Sequence, residues 1–261
     1  MKIQYLNGGL ANQVFQYIFY RYAELSSNGN DVWLLDDSFF FFKNQHNGYE
    51  LENVFGVKPN LLSRQFDKAA WDFFIENRKN GIGTAQTMLN MGMSVQMVAE
   101  AENYKNDNPF HGKVFNIPCN GYYPEILKLP GEVTYYFGYW INKEWLNAYK
   151  DRILSELSFP ALTDESNLSY ASKIKNTCSV GVHIRRGDFV SLGWNMDSDF
   201  YLNATKKMVE LHPDLTFFVF SDDIAWCREH ADELGLSLAQ DIVFVEGNLH
   251  GKNYIDLQLM T

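Results

Sequence analysis

The stretch Ser179-Val-Gly-Val-His-Ile-Arg-Arg-Gly-Asp188 decides how the rest of the sequence is interpreted. From Val180 to Ile184, β-branched residues occupy every second position, which is the period of a β-strand. Two arginines, a glycine and an aspartate follow directly. Ligands of open parallel sheets bind beyond the carboxyl ends of the strands. The stretch therefore predicts an anion site built from Arg185 and Arg186.

The residues after this strand repeat the same alternation of strand and helix. Apolar runs at 179–184, 216–221 and 242–246 alternate with helical patterns at 199–211, 223–235 and 252–261. Successive β-α units of this kind favour a parallel sheet with right-handed crossovers. The second half is therefore expected to be a doubly wound, Rossmann-like nucleotide-binding domain.

The first half opens with a strand at Ile3–Leu6, a tight turn at Asn7–Gly9 and an apolar helix at 11–27. This layout places free backbone N–H groups near a phosphate, although it lacks the third glycine of a Rossmann fingerprint and the Lys-Ser/Thr of a P-loop. Phe39–Phe42 is interpreted as a buried connector, and 145–157 as one helix. Pro160 and the polar segment 163–166 predict two α/β domains, 1–160 and 161–261.

Composition excludes several classes of function. The chain has 261 residues and a net charge of −10, which argues against nucleic acid as a partner. Its three cysteines are widely spaced and fit no disulfide framework or metal site, so we expect a cytoplasmic protein. No export signal or 18-residue apolar run is encoded, so we expect no transmembrane segment, while peripheral membrane association stays open.

The arginine pair and the histidine before it have ordinary as well as functional interpretations. Arg185 and Arg186 could grip a diphosphate with their guanidinium groups, or form surface ion pairs with Asp188. His183 could contact a phosphate or a sugar hydroxyl, and the residues alone slightly favour a hydrogen-bonded core histidine. An Arg-Gly-Asp adhesion loop is rejected because the tripeptide directly follows a core strand.

A second polar group ends the strand Phe217-Phe-Val-Phe-Ser-Asp-Asp223. Ser221 or Asp222 could be the N-cap of the following helix. The two aspartates could also accept hydrogen bonds from a ribose or a guanine edge. Paired aspartates hold Mn²⁺ in some glycosyltransferases, but the arginines already supply positive charge to a leaving diphosphate. We therefore expect no metal.

Asn12 and Gln13 are polar residues at the start of the apolar helix of the first half. They are either cap residues or amides directed into a cleft between the two halves. Position in the sequence does not decide between these alternatives.

Together these motifs resemble a known family. Gly8-Gly-Leu-Ala-Asn-Gln-Val-Phe-Gln-Tyr17, His183-Ile-Arg-Arg-Gly-Asp188 and Phe220-Ser-Asp-Asp-Ile-Ala-Trp-Cys227 resemble motifs of bacterial α-1,2-fucosyltransferases, glycosyltransferase family 11. An aromatic stretch at 138–145 adds to the likeness. The His-x-Arg-Arg-Gly-Asp element also occurs in other fucosyltransferases, so it indicates use of GDP-fucose more than a particular linkage.

The resemblance implies a GT-B fold, with two Rossmann-like halves facing a cleft and the donor mostly on the C-terminal half. It implies a metal-independent, inverting transfer of fucose from GDP-β-L-fucose to the 2-hydroxyl of a galactose-containing glycan, in surface glycan synthesis, with no cofactor. Two alternatives stay open: a fucosyltransferase with another acceptor or linkage, and a GDP-sugar-binding or glycan-binding module without catalysis.

The resemblance also implies roles for individual residues. Arg185 and His183 are the catalytic candidates. The donor-binding candidates are Gly8, Gly9, Asn12, Arg185, Arg186, Asp188, Ser221, Asp222 and Asp223. The general base is not identified, and Asp36, Asp37 and His183 are the candidates for it.

Two departures from the family pattern matter. Ala11 stands where the family usually has glycine, which should be tolerated if the residue is already helical. Family members also continue beyond the last helix with a further strand and a Trp-Trp segment that helps to bind the donor phosphates. We therefore expect the C-terminal half to be incomplete and this chain to be a fragment with weakened or no activity.

Overall fold

The computed structural model describes residues 1–43, 46–101, 110–249 and 251–261. The chain divides into two compact units, Met1–Pro160 and Ala161–Thr261. Pro160, which the sequence suggested as the end of the first domain, is the last residue of the first unit. Each unit is an α/β structure around a parallel sheet, so the predicted fold class is confirmed at that level.

The first unit contains a five-stranded sheet with the strand order β2-β1-β5-β3-β4, and its neighbours all pair in parallel. Its strands are β1 (Lys2–Tyr5), β2 (Trp33–Asp36), β3 (Val95–Glu100), β4 (Lys113–Ile117) and β5 (Val133–Phe137). Its helices are α1 (Leu10–Ser26), α2 (Phe39–Phe42), α3 (Leu51–Phe55), α4 (Lys68–Lys79), α5 (Thr84–Asn90), α6 (Glu144–Asn147) and α7 (Lys150–Glu156), with 3₁₀ turns at Leu62–Gln65 and Pro124–Lys128.

Both faces of this sheet are covered, because successive strand residues point to opposite sides. Leu35 and Tyr136 lie in a core with α1 and α6, while Leu34 and Tyr135 lie in a second core with α4 and α5. The rings of Phe19 on α1 and Trp140 stack with their centroids 4.1 Å apart in the first of these cores. The many aromatic residues of the sequence are thus largely accounted for by packing.

The second unit contains a parallel three-stranded sheet with the order β6-β7-β8. Its strands are β6 (Cys178–Ile184), β7 (Leu215–Ser221) and β8 (Asp241–Phe244). Its helices are α8 (Glu165–Asn176), α9 (Gly187–Leu192), α10 (Ser198–Leu211), α11 (Ile224–Glu229) and α12 (Tyr254–Leu259), with a 3₁₀ turn at Leu236–Leu238.

Helices cover both faces of the second sheet as well. Phe217 and Val219 of β7 pack with residues of α10 and α11, whereas Phe218 and Phe220 pack with residues of α8 and α12. This two-sided packing makes β7 a near-continuous apolar run, as expected for a buried parallel strand. The doubly wound arrangement places the polar ends of β6 and β7 at one edge.

Several predicted elements differ from the structure. The stretch Phe39–Phe42 is the short helix α2, and Phe41 is half exposed because successive helical residues point in different directions. The helix expected at 145–157 is split into α6 and α7, and the helix expected at 223–235 ends at Glu229. Helices α5, α8 and α9 were not predicted. The sequence also predicts loops with short strands over 98–131, where the structure has the end of β3, strand β4 and a 3₁₀ turn; residues 102–109 lie outside the described residues.

Within the described parts of the chain, no helix combines the length and the apolar character needed to cross a membrane.

Candidate active site at the ends of strands β6 and β7

Arg185 follows the last residue of β6 and contacts two carboxylates. Its Nη2 lies 2.8 Å from Oδ1 of Asp188, and its Nη1 lies 3.0 Å from Oδ2 of Asp222. The guanidinium also lies 5.4 Å from the ring centroid of Phe189. The side chain keeps 41% of its surface exposed, so part of its five-donor fork remains open to a ligand.

Arg186 is held differently. Its guanidinium lies flat against the ring of Trp226, 3.5 Å from the centroid, a cation–π contact. Its Nε lies 3.5 Å from Oδ2 of Asp223, yet it makes no hydrogen bond to any residue that the structure describes. Only 19% of this side chain is exposed. The environment therefore fixes Arg186 and leaves one buried N–H without a partner.

Asp222 and Ser221 tie the ends of the two strands together. Oδ1 of Asp222 accepts a hydrogen bond from the backbone N–H of Arg186 at 2.8 Å. Ser221 Oγ donates to the carbonyl of Ile184 at 2.6 Å. A Cβ on Gly187 would lie only 2.5 Å from Oδ2 of Asp222, so any side chain at this position would displace the Asp222 carboxylate. The loop after β6 is thus held against the end of β7.

Asp223, rather than Ser221 or Asp222, is the N-cap of the helix that follows β7. Its side chain accepts from the backbone N–H of Trp226 at 3.2 Å. Ser221 Oγ accepts from the N–H of Asp223 and so positions the cap. The sequence-based assignment of the cap was wrong by one or two residues, because α11 begins at Ile224 and the residue directly before it, Asp223, is its N-cap.

His183 is not a core histidine, so the interpretation that the residues alone favoured was wrong. Its side chain is exposed, although Phe220 beside it on β7 is buried. Partial desolvation and the charge of Arg185 lower the pKa of His183 from its usual value. The ring, which lies close to the arginines in sequence, is therefore uncharged at neutral pH.

The charge of this cluster differs from the simple anion site that the sequence predicted. The two arginines face three carboxylates, those of Asp188, Asp222 and Asp223. The arginines therefore form the ion pairs of the ordinary interpretation, and the exposed part of Arg185 remains available to a ligand. An incoming diphosphate would have to share or displace the carboxylates that now contact Arg185.

The structure brings six predicted donor-binding residues together at this edge, namely Arg185, Arg186, Asp188, Ser221, Asp222 and Asp223. No group of three or more His, Cys, Asp or Glu side chains with metal-binding geometry occurs among residues 1–43, 46–101, 110–249 and 251–261. Metal independence stays a prediction.

The other predicted residues lie in the first unit, at the turn between β1 and α1. Gly8 has a φ of +79°, and a Cβ there would lie 2.6 Å from Nδ2 of Asn12, so Asn12 packs directly against this glycine. Gly9 is the N-cap of α1 and has an ordinary φ of −74°. Ala11 is helical and exposed, so its methyl group is accommodated where the family usually has glycine.

Gln13 and Gln16 position this turn, and sequence reasoning missed their roles. Nε2 of Gln13 donates to the carbonyls of Gly8 and Gly48, and its Oε1 accepts from the N–H of Glu50. Gln16 donates to Asn7 Oδ1 at 2.7 Å and accepts from its N–H. Gln13 is therefore not a cap residue, and its fully buried amide is hydrogen-bonded within the first unit instead of being directed into a cleft. The sequence did contain a signal for these roles, namely two glutamines three residues apart on an otherwise apolar helix.

Two of the candidate general bases lie at the end of strand β2: Asp36 is its last residue and Asp37 follows directly. Asp36 is fully buried and accepts hydrogen bonds from Tyr135 Oη and from the N–H of Ser38. Asp37 accepts from the N–H and the Oγ of Ser63. Burial raises the pKa of the Asp37 carboxyl to about 6. Asp36 thus stabilises the fold through these hydrogen bonds, whereas Asp37 lines a cavity.

Comparison with known proteins agrees with the motifs. The model of glycosyl transferase family 11 matches residues 5–261. An alpha-1,2-colitosyltransferase of Escherichia coli is 27% identical over 98% of this chain and 79% of its own length. The galactoside 2-alpha-L-fucosyltransferase SEC1 of Bos taurus is 28% identical over 51% of this chain and 38% of its own. The O-antigen biosynthesis glycosyltransferase WbnK of E. coli is 23% identical over 85% and 73%.

The family model spans both units and includes the glycine turn, the arginine pair and the Ser-Asp-Asp end of β7. The chain belongs to glycosyltransferase family 11.

Proposed function

We propose that this protein transfers L-fucose from GDP-β-L-fucose to the 2-hydroxyl of a galactoside, with inversion at the anomeric carbon and without a metal. The observation that carries the proposal is the cluster at the ends of β6 and β7, where Arg185 and Arg186 are fixed beside Asp222 and Asp223 in a member of family 11. A GT-B organisation, a cytoplasmic location and a role in surface glycan synthesis are further parts of this proposal.

Arg185 supplies the main electrostatic contribution in this proposal. As the bond from the anomeric carbon to the diphosphate oxygen breaks, negative charge builds on the leaving GDP. A preorganised donor stabilises that charge, and loss of one such donor typically lowers the rate by roughly 10²–10³-fold. Asp222 and Asp188 hold the guanidinium in place before the donor arrives.

The remaining residues of the edge bind and position the donor. Asp222 and Asp223 offer carboxylate oxygens to the guanosine, and Ser221 keeps the ends of the strands together. Arg186 has a buried N–H without a described partner, which a phosphate oxygen could satisfy. His183 is uncharged at neutral pH and can accept a hydrogen bond or a proton beside the reacting groups.

The first unit supplies the remaining donor-binding candidates and the general base of the proposal. Gly8, Gly9 and Asn12 lie near the transferred sugar in this proposal, on the polar turn after β1 that Gln13 and Gln16 hold rigid. Asp37 is the candidate general base of this unit, because it lines a cavity, whereas the carboxylate of Asp36 is fully buried and accepts hydrogen bonds from Tyr135 and Ser38.

A second candidate, transfer of colitose, is favoured by one specific observation. The E. coli relative that matches 98% of this chain is named an alpha-1,2-colitosyltransferase. Colitose is the 3-deoxy analogue of L-fucose, so one diphosphate site could serve both GDP-sugars. The two candidates differ only in what the protein recognises at carbon 3 of the sugar.

The test measures GDP release from GDP-fucose and from GDP-colitose, each with and without a galactoside. Galactoside-dependent release from GDP-fucose supports the first candidate, and release from GDP-colitose alone supports the second. Arg185→Ala should lower release from the preferred donor by roughly 10²–10³-fold. Binding of GDP without release from either sugar would instead indicate a non-catalytic GDP-sugar-binding protein, and undiminished release by Arg185→Ala would contradict the assignment of the site.

A further inference from the structure

A separate cavity of about 400 Å³ lies in the first unit, just beyond the carboxyl end of β2. Its volume falls within the range of small-molecule sites. The segment that forms one wall is held to the strand, since the N–H of Leu35 donates to the carbonyl of Asn60 at 2.9 Å. The position matches the place where ligands bind in open parallel sheets.

The walls of the cavity combine carboxylate, guanidinium, hydroxyl and aromatic groups. Asp37 is only 3% exposed and accepts two hydrogen bonds from Ser63. Arg64 forms an ion pair of 2.8 Å with Glu52. Phe40 and the half-exposed Phe41 supply apolar ring surface. Such a mixture suits a ligand that carries both hydroxyl groups and an apolar face.

Two polar atoms of this region lack partners. The hydroxyl of Tyr49, which lines the cavity, and Oε1 of Glu52 are both withdrawn from solvent, and neither makes a hydrogen bond within the described part of the chain. Buried polar atoms are normally satisfied, so each such exception needs an explanation. A hydroxyl group that enters the cavity could be the missing partner of Tyr49.

Charge argues against an anionic ligand here. The wall carries the acidic Asp37, and its single arginine, Arg64, already pairs with Glu52 outside the wall. Burial raises the pKa of Asp37 to about 6, and a bound anion would raise the cost of ionising it further. A neutral ligand can donate a hydroxyl to the carboxylate without that cost.

We propose that this cavity is the acceptor subsite, in which Asp37, Tyr49 and Phe41 bind a neutral hexose unit of the galactoside. The inference rests on the proposed function for the identity of the acceptor as a galactoside. It adds a location and three residues that contact the sugar. Phe41 lies against its apolar face, Asp37 accepts from a hydroxyl, and Tyr49 exchanges a hydrogen bond with another.

Direct binding of lactose tests the proposal without requiring turnover. Titration followed by ligand-observed NMR would compare the full chain with Tyr49→Phe, Phe41→Ala and the control Phe73→Ala. Phe73 is 53% exposed and Phe41 is 52% exposed, and Phe73 is not part of the cavity. We expect each of the first two variants to weaken binding about fivefold or more, as for loss of one hydrogen bond or stacking contact, and the control to bind normally.

Tyr49→Phe is the sharpest variant, because the hydroxyl that it removes has no described partner and its loss should leave the fold intact. Normal lactose binding by both cavity variants, or no lactose binding by the unmodified chain, would overturn the proposal. Competition by inorganic phosphate would also overturn it. Titration of GDP into the same samples separates the acceptor subsite from the donor site. Failure to bind GDP would contradict the donor site at the ends of β6 and β7 and would not affect the acceptor subsite.

Discussion

At the residue scale, Arg185 and Asp37 show how neighbours set the properties of a charged group. Arg185 is partly exposed, and Asp188 and Asp222 orient its guanidinium group. Asp37 is buried, and its environment disfavours the charged form. The first arrangement keeps a permanent charge available to a ligand, and the second keeps a carboxyl ready to accept a hydrogen bond or a proton.

The raised pKa of Asp37 predicts a pH-dependent stability. The carboxyl has a pKa of about 6 in the folded protein against an ordinary value of 3.8, so the folded state binds the proton more tightly. The stability that protonation provides is present at low pH and is lost between about pH 4 and pH 6, by roughly 3 kcal/mol. Urea unfolding at pH 4 and pH 7 measures this loss.

Asp37→Asn provides the comparison, because an amide does not titrate. The unmodified protein should lose stability relative to the variant as the pH rises through this window. If both proteins change in parallel with pH, the carboxyl titrates normally and the cavity is more polar than the structure indicates.

Gly8 and Gly9 form a matched pair for a second prediction. Gly8→Ala should destabilise the protein by about 1–3 kcal/mol, because the residue has a φ of +79° and its new Cβ would lie 2.6 Å from Asn12. Gly9→Ala should be nearly neutral, since its φ is ordinary and the nearest atoms outside its chain neighbours are 3.5 Å away. Denaturant unfolding of both variants measures the difference, and equal losses would contradict the account of the turn.

Some of these residue roles could be predicted from sequence, and others could not. The positions of Arg185 and Asp222 follow from the ends of two apolar strands, so local pattern was sufficient. Gln13 contacts Gly48 and Glu50, which are distant in sequence. No local pattern identifies such partners. The exposure of His183 depends on which helices cover β6, so it too required the structure.

At the scale of elements, the helix that covers β7 gives a third prediction. Asp197 is the N-cap of α10, and its side chain accepts from the N–H of Phe200 at 2.8 Å. Asp197→Ala should lower stability by about 1 kcal/mol. Asp199→Ala, which removes the same charge from the first turn of the same helix, should cost only a few tenths.

Thermal or urea unfolding of the two variants compares these effects. Equal losses would show that charge at the end of the helix, rather than the cap hydrogen bond, stabilises α10.

Elements with a buried apolar face were the easiest to predict. The runs at 179–184 and 216–221 differ from β6 and β7 by one residue at the start, because both strands carry hydrophobic residues required by the core. Helix α9 was missed, since it has only six residues and none of them is buried. The break between α6 and α7 was missed because the apolar periodicity continues across it.

At the scale of the whole molecule, the two units should separate under mild proteolysis. Residues 158–163 have no regular secondary structure and Pro160 is exposed, which is typical of a cleavable connection. Limited digestion with a protease specific for acidic residues, followed by intact mass analysis, should first give fragments that correspond to Met1–Pro160 and Ala161–Thr261 to within a few residues. Early cuts inside either sheet would contradict the division into units.

The negative net charge of the molecule means that an anionic ligand needs a local cluster of cations to bind. A protein with a charge of −10 repels an anionic donor at long range, so binding must come from short-range contacts at the arginines. Lys173 is a suitable reference cation, because it lies in the same unit, is 44% exposed and pairs with Asp241 at the beginning of β8.

Calorimetric titration of GDP into the unmodified chain, Arg185→Ala and Lys173→Ala tests the central claim most directly. We predict that Arg185→Ala binds GDP at least about tenfold more weakly, as for loss of a charge-assisted hydrogen bond, while Lys173→Ala binds like the unmodified chain. Equal affinity of all three proteins for GDP would contradict the assignment of the ends of β6 and β7 as the donor site.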